Sequence, residues 1–198
     1  MAELEVVAYR LLMANTGGTQ FVAFLRGINV GANGKGRKNV PMPELRALAE
    51  EIGFAEPQTH LQSGNLLFEA KVQVKTAEER LEAAILERFG FEVTVMVRTM
   101  KELVRARKGC PFEDAVLARP KLVHIGFAKE KLARGALELL EPYAKNGELI
   151  AFLGQSFWID YPSVGGSKLT PAVLNRVLGS PVTQRNAKTL DAIVAMSR

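Results

Sequence analysis

Cysteine and histidine are scarce in this sequence, and their scarcity excludes several kinds of protein. The single cysteine, Cys110, allows no internal disulfide and no cysteine-rich zinc site, and the two histidines, His60 and His124, lie at no recognisable metal-ligand spacing. No run approaches the roughly 18 apolar residues of a membrane helix. We therefore expect a globular cytoplasmic protein without a metal, a cofactor or a membrane partner.

The first 18 residues are expected to form an N-terminal extension. Apolar residues from Leu4 to Leu12 recur at helical spacing, and the run Asn15–Thr19 breaks that pattern. Glu3 and Glu5 stand where a signal peptide would carry positive charge, so no such leader is predicted. A packed terminal helix is expected here, with a partner-binding helix as the alternative.

Two stretches of the chain repeat one order of predicted elements: strand, helix, strand, strand, helix, strand. The first occupies residues 19–99 and begins with the strand Phe21–Leu25, and the second occupies residues 120–198. A helical connector is expected over residues 100–119. The sequence therefore predicts an α+β fold of two tandem ferredoxin-like βαββαβ halves, each with an antiparallel sheet and helices packed on one face.

Turn and capping residues set the expected bounds of several elements. Gly64-Asn65 predicts a tight turn between two strands, because both residues tolerate positive φ. Thr76–Glu79 has the capping-box pattern of a helix start. A helix is predicted over Lys129–Leu140, and another over Pro171–Leu178 with Thr170 as its N-cap.

Positive charge is concentrated in segments that contain no acidic residue. The formal net charge is +5, and neither the segment Arg26–Asn39 nor the segment Tyr161–Leu190 contains an aspartate or glutamate. If the two segments meet across the halves, they form a basic cleft that attracts anions. The alternative is that both are solvated surface charge.

The loop from Gly27 to Asn39 combines glycines with basic side chains. Such a loop can turn backbone N–H groups towards a phosphate or carboxylate. The loop matches neither the Walker P-loop nor the dinucleotide-binding glycine pattern, so it predicts no particular ligand. A flexible surface loop is the alternative.

Several motifs resemble the domain-of-unknown-function family 1697. The motifs that carry the resemblance are Phe24–Gly31, Val40–Arg46, Leu61–Asn65, Cys110-Pro111-Phe112, Ser167–Thr170 and Thr183–Asn186. The resemblance covers about Thr19 to Met196. It implies an α+β protein of two similar halves, and it implies no established activity, substrate or cofactor.

The leading functional hypothesis is binding of a phosphate-bearing ligand, with nucleic acid as one candidate, in the basic cleft. Charge would come from Arg26, Lys35, Lys38, Lys168 and Arg185, and hydrogen bonds from Asn29, Gln62, Ser63, Asn65 and Asn186. Turn formation and helix capping are the alternative roles of the polar residues.

Two other functions stay open. One is an enzyme, a hydrolase or transferase, acting on a small anionic metabolite with Ser63 or Cys110 as its nucleophile. The other is an interaction module that uses sheet edges or the N-terminal helix. The sequence leaves the oligomeric state open.

Overall fold

The computed structural model describes residues 17–30, 38–132, 134–154, 156–163 and 165–197. The predicted N-terminal helix, most of the glycine-rich loop and the candidate residue Lys35 lie outside these residues. The chain forms two compact units, Met1–Thr99 and Met100–Arg198.

The first unit contains a four-stranded antiparallel sheet with two helices. Its elements are β1 (Thr19–Leu25), α1 (Met42–Glu51), β2 (Ala55–His60), β3 (Asn65–Ala70), α2 (Val74–Phe89) and β4 (Val95–Thr99). The strands lie in the order β2-β3-β1-β4. This is the predicted βαββαβ order, which is confirmed.

Alternate residues of β1 build the core of the first unit. Phe21, Ala23 and Leu25 lie on one face and belong to a buried cluster that includes Leu45 of α1 and Leu81 of α2. Side chains at every second position of a strand share a face, whereas helix residues three or four apart do so. The helices therefore cover this face of the sheet.

Helix α2 begins two residues before the predicted capping box. Its N-cap is Gln73, which makes no side-chain capping bond, so the prediction that Thr76 caps the helix is wrong. Val72 and Val74 pack against the core, and this packing extends the helix start beyond the local capping signal.

Two glutamates of α2 cover backbone N–H groups of the edge strand β4. Glu82 Oε1 accepts a hydrogen bond of 2.8 Å from the Val95 N–H, and Glu78 Oε1 accepts one of 2.8 Å from the Val97 N–H. Unpaired N–H groups on an edge strand would otherwise offer pairing to another chain. The two carboxylates thus accept the hydrogen bonds that a neighbouring strand would otherwise accept.

The second unit repeats the element order after two additional helices. Its elements are α3 (Met100–Lys108), α4 (Glu113–Ala118), β5 (Val123–Ala128), α5 (Ala136–Leu140), a 3₁₀ turn (Glu141–Tyr143), β6 (Leu149–Leu153), β7 (Ser156–Asp160), α6 (Pro171–Leu178), β8 (Val182–Asn186) and α7 (Ala187–Ala195). The strands lie in the order β6-β7-β5-β8, again antiparallel. The two similar halves of the predicted α+β fold are therefore present.

The predicted helix Lys129–Leu140 is wrong over its first half. The backbone N–H groups of Lys129 and Glu130 donate instead to Pro181 O and Ser180 Oγ, both at 2.9 Å. Gly135 has a φ of 70°, which a right-handed helix does not contain. Bonds to a distant segment therefore outweigh the local helical pattern.

Helix α6 begins after its predicted cap, Thr170, and helix α7 begins after Asn186, for which helix capping was the alternative role. Thr170 Oγ1 accepts a bond from the Val173 N–H, and Asn186 Oδ1 accepts one from the Thr189 N–H. These bonds satisfy donors that have no partner inside the helix. Across the described part of the chain, no helix is both long enough and apolar enough to cross a membrane.

Candidate functional site

Asn29 joins two sequence motifs that are far apart in the chain. Its Nδ2 donates to Gln62 O at 2.8 Å and to Val40 O at 2.9 Å, while its Oδ1 accepts from the Val40 N–H at 2.8 Å. Its backbone N–H donates to Lys38 O at 2.9 Å. One side chain therefore connects the end of β1, the β2–β3 turn and the segment before α1.

The backbone of Asn29 explains why this residue type stands there. Its φ is 53°, in the left-handed region that asparagine tolerates better than most residues do. In this conformation its amide reaches carbonyl groups on both sides of the chain. Asn29 thus has a defined structural role, which uses both polar ends of its side chain.

The β2–β3 turn packs tightly against the end of β1. Gly64 has a φ of 77°, and a β-carbon there would lie 2.7 Å from Ile28 Cδ1 and 2.8 Å from Leu25 Cβ. The Leu25 N–H donates to Gly64 O at 2.8 Å. Glycine is therefore required at this position for both its φ and its small size.

The buried side chain of Asn65 stabilises the same turn by hydrogen bonds. Its side chain is fully buried, and its Nδ2 donates to His60 O at 2.6 Å and to Ser63 Oγ at 3.3 Å. A buried amide with these bonds shapes the turn and does not reach the surface. The exposed polar groups of the turn are Gln62 and Ser63.

Two basic residues lie next to this turn. Arg26 follows β1 directly, is half-buried, and donates its backbone N–H to Thr94 O at 2.9 Å. Lys38 is exposed, and its Nζ donates to Glu92 O at 2.6 Å. A lysine ammonium has three N–H donors, so this bond uses one of them.

Six candidate residues thus lie at one end of the first sheet, and we call them the hairpin-end site. They are Arg26, Asn29, Lys38, Gln62, Ser63 and Asn65. Five of them belong to the motifs Phe24–Gly31 and Leu61–Asn65, and Lys38 precedes the motif Val40–Arg46. Hydrogen bonds of Asn29 bring these segments together.

Arg185, in the second unit, is buried within the protein. Only 9% of it is exposed, and its guanidinium donates to Thr183 Oγ1 and to Gln184 O, both at 2.8 Å. Burial lowers its pKa to about 10, so the group keeps its charge at neutral pH. The charge of Arg185, a residue of β8, therefore lies in the protein interior.

Lys168 and Asn186 lie in different segments of the second unit. Lys168 is exposed and follows Ser167, whose hydroxyl donates to Glu148 Oε1 at 2.5 Å, just before the edge strand β6. Asn186 ends the other edge strand, β8.

Cys110 and His124 have surroundings that fit structural roles. Burial raises the pKa of the Cys110 thiol, which keeps it protonated and a poor nucleophile at neutral pH. Burial lowers the pKa of His124, whose Nε2 lies 3.0 Å from Lys121 O. Among the described residues, no group of three His, Cys, Asp or Glu side chains could hold a metal ion.

Two apolar residues at the hairpin-end site were missed by the sequence reasoning. Val30 and Leu61 are 62% and 55% exposed, and they are the chain neighbours of Asn29 and Gln62. The signal available in the sequence was an aliphatic residue directly beside a polar residue of each motif. Their exposure becomes apparent only from the tertiary structure.

The fold and the hairpin-end site define a class of α+β protein with two βαββαβ halves and a polar, basic end on the first sheet. The chain belongs to the family described as "Protein of unknown function (DUF1697)", whose model matches residues 19–158. The match includes every residue of the hairpin-end site and ends before Lys168, Arg185 and Asn186.

A solved structure supports the same fold. The chain is similar to the conserved bacterial protein SP0830 from Streptococcus pneumoniae, with a TM-score of 0.68 and 23% sequence identity. The similarity covers 90% of this chain and 98% of that one, so it extends through both halves. No curated protein matches the chain.

Proposed function

We propose that this protein binds a phosphate-bearing ligand at the hairpin-end site, and that nucleic acid is one form such a ligand takes. Arg26 and Lys38 supply the positive charge, and Gln62 and Ser63 supply hydrogen bonds. Asn29 and Asn65 hold these groups in position. The contributions of Lys35, Lys168, Arg185 and Asn186 stay predictions.

The observation that carries the proposal is the 2.8 Å hydrogen bond from Asn29 Nδ2 to Gln62 O. It connects the motif that contains Arg26 with the motif that contains Gln62 and Ser63. A guanidinium, an ammonium, an amide and a hydroxyl at one sheet end form a donor set suited to an oxyanion.

Local charge also supports an anionic ligand. No acidic residue occurs between Arg26 and Asn39, and Lys38 bonds to the backbone oxygen of Glu92. A positive field at this end would attract anions and speed their association. The single cysteine, which allows no internal disulfide, supports the further proposal that the protein acts in the cytoplasm.

Binding can be tested with a fluorescein-labelled single-stranded oligothymidylate, measured by fluorescence anisotropy at several salt concentrations. Each phosphate contacted by a cation should add about −0.7 to the slope of log affinity against log salt. Arg26→Gln and Lys38→Gln should each weaken binding and reduce the slope by about that amount.

Two basic residues away from the site provide matched controls. Lys71 is exposed and follows Ala70 at the opposite end of β3, and Arg80 is exposed on α2. Lys71→Gln and Arg80→Gln should leave affinity and slope nearly unchanged. Equal losses in all four variants would mean that binding follows net charge alone, and would contradict a defined site.

A further inference from the structure

Two exposed aliphatic side chains lie beside the hairpin-end site. Val30 is 62% exposed and follows Asn29, while Leu61 is 55% exposed and precedes Gln62. The side-chain amide of Asn29 bonds to the carbonyl of Gln62 at 2.8 Å, so the two apolar residues adjoin the same junction. An inorganic anion has no apolar group that could pack against these aliphatic side chains.

The backbone makes leucine a costly choice at position 61. Its φ is 60°, a left-handed conformation that glycine or asparagine adopts more easily. Burial in the core does not compensate for this cost, because more than half of the residue is exposed. Strained residues that are not explained by packing are concentrated at binding sites.

We propose that the hairpin-end site takes an organic phosphate ester, whose apolar group of about the size of one ring contacts Leu61 and Val30. The phosphate group of the same ligand faces Arg26 and Lys38. This inference rests on the proposed function, since it assigns the second part of the ligand that the cations bind. It predicts that nucleotides and other ring-bearing phosphates bind more tightly than inorganic phosphate does.

Charge and area both favour this occupant over a protein partner. Val30 and Leu61 are chain neighbours of two residues of the hairpin-end site, which also contains two cations, and this composition matches a ligand with one anionic and one apolar end. A stable protein interface buries about 800 Å² on each partner, and two side chains supply only a fraction of that area. A single ring covers a surface of this size.

The test compares inorganic phosphate, methyl phosphate and phenyl phosphate as probes in NMR titrations of the full chain. Phenyl phosphate should bind at least about tenfold more tightly than methyl phosphate, which corresponds to about 1.4 kcal/mol. Leu61→Asn and Val30→Thr should remove most of this preference. Their affinity for inorganic phosphate should stay that of the wild type.

A thermal unfolding measurement separates a binding role of Leu61 from a structural one. Asparagine suits a positive φ, so Leu61→Asn should keep or raise the Tm while it weakens binding of phenyl phosphate. Leu117→Asn is the matched control, because Leu117 is 79% exposed and lies on α4 in the second unit. This control should leave the probe preference intact.

The outcomes distinguish this inference from the function on which it rests. Equal affinity for the three probes, with loss in Arg26→Gln, would overturn the ester inference and leave anion binding standing. Binding of no probe would overturn both. A Leu61→Asn variant that unfolds at lower temperature and keeps the phenyl preference would show that leucine serves the fold, which overturns the inference.

Discussion

Removal of the Asn29 side chain should release the β2–β3 turn from the end of β1. The side chain makes three hydrogen bonds at half-buried and exposed positions, two to Val40 and one to Gln62. At roughly 0.5–1 kcal/mol for each of the three bonds, their loss should destabilise the first unit by about 1.5–3 kcal/mol. Asn29→Gly should show the loss of the hydrogen bonds without added backbone strain, because glycine tolerates the φ of 53°.

Asn29→Ala adds a backbone cost to the loss of the hydrogen bonds. Alanine in a left-handed conformation costs roughly 1–2 kcal/mol, part of which asparagine already bears. The alanine variant should therefore be less stable than the glycine variant by about 1 kcal/mol. The comparison separates the side-chain contribution from the conformational one.

Hydrogen exchange measured by NMR gives a local readout of both contributions. The Val40 amide, which donates to Asn29 Oδ1, should exchange at least about tenfold faster in Asn29→Gly, in line with a loss of about 1.5 kcal/mol or more. The Leu25 amide, bonded to Gly64 O, should also exchange faster as the turn loosens.

An equivalent bond in the second unit provides the internal control. The Val182 N–H donates to Asn175 Oδ1 at 2.9 Å, and its exchange rate should not change in either Asn29 variant. Wild-type exchange at Val40 in Asn29→Ala would refute the role assigned to Asn29. Equal stability of the alanine and glycine variants would refute the backbone contribution.

Two further predictions concern the turn and a buried carboxylate. Gly64→Ala should destabilise the first unit by about 2–4 kcal/mol in urea unfolding followed by circular dichroism, because its β-carbon would lie 2.7 Å from Ile28 Cδ1. A stability within about 0.5 kcal/mol of the wild type would contradict that close packing. Burial alone would raise the pKa of Glu148, but hydrogen bonds from Ser167 and from the Asn146 N–H outweigh it and lower the pKa. The ionised carboxylate therefore stabilises the second unit above its unfolded pKa of 4.5, and this contribution is lost as pH falls through the lower folded value. Glu148→Gln should remove that part of the acid dependence of unfolding, and an unchanged pH profile would show that Glu148 does not cause it.

Element order and some helix starts were predictable because local chemistry decides them. Helix α6 runs over Pro171–Leu178 with Thr170 as its N-cap, as predicted, since the cap and the first-turn proline are adjacent in sequence. Strand β1 likewise follows from its own apolar run. In contrast, the predicted start of α5 is wrong, because Lys129 and Glu130 bond to residues about 50 positions away.

By itself, the sequence determined the βαββαβ order of both halves, the family and the residue types available for binding an anion. Hydrophobic periodicity, glycines and capping residues carry this information over short distances. Only the tertiary structure decided that Asn29 reaches Gln62, that Asn65 and Arg185 are buried, and that Val30 and Leu61, next to Asn29 and Gln62 in the chain, are exposed. Burial and contacts between distant segments arise when the whole chain packs, and no short stretch of sequence specifies them.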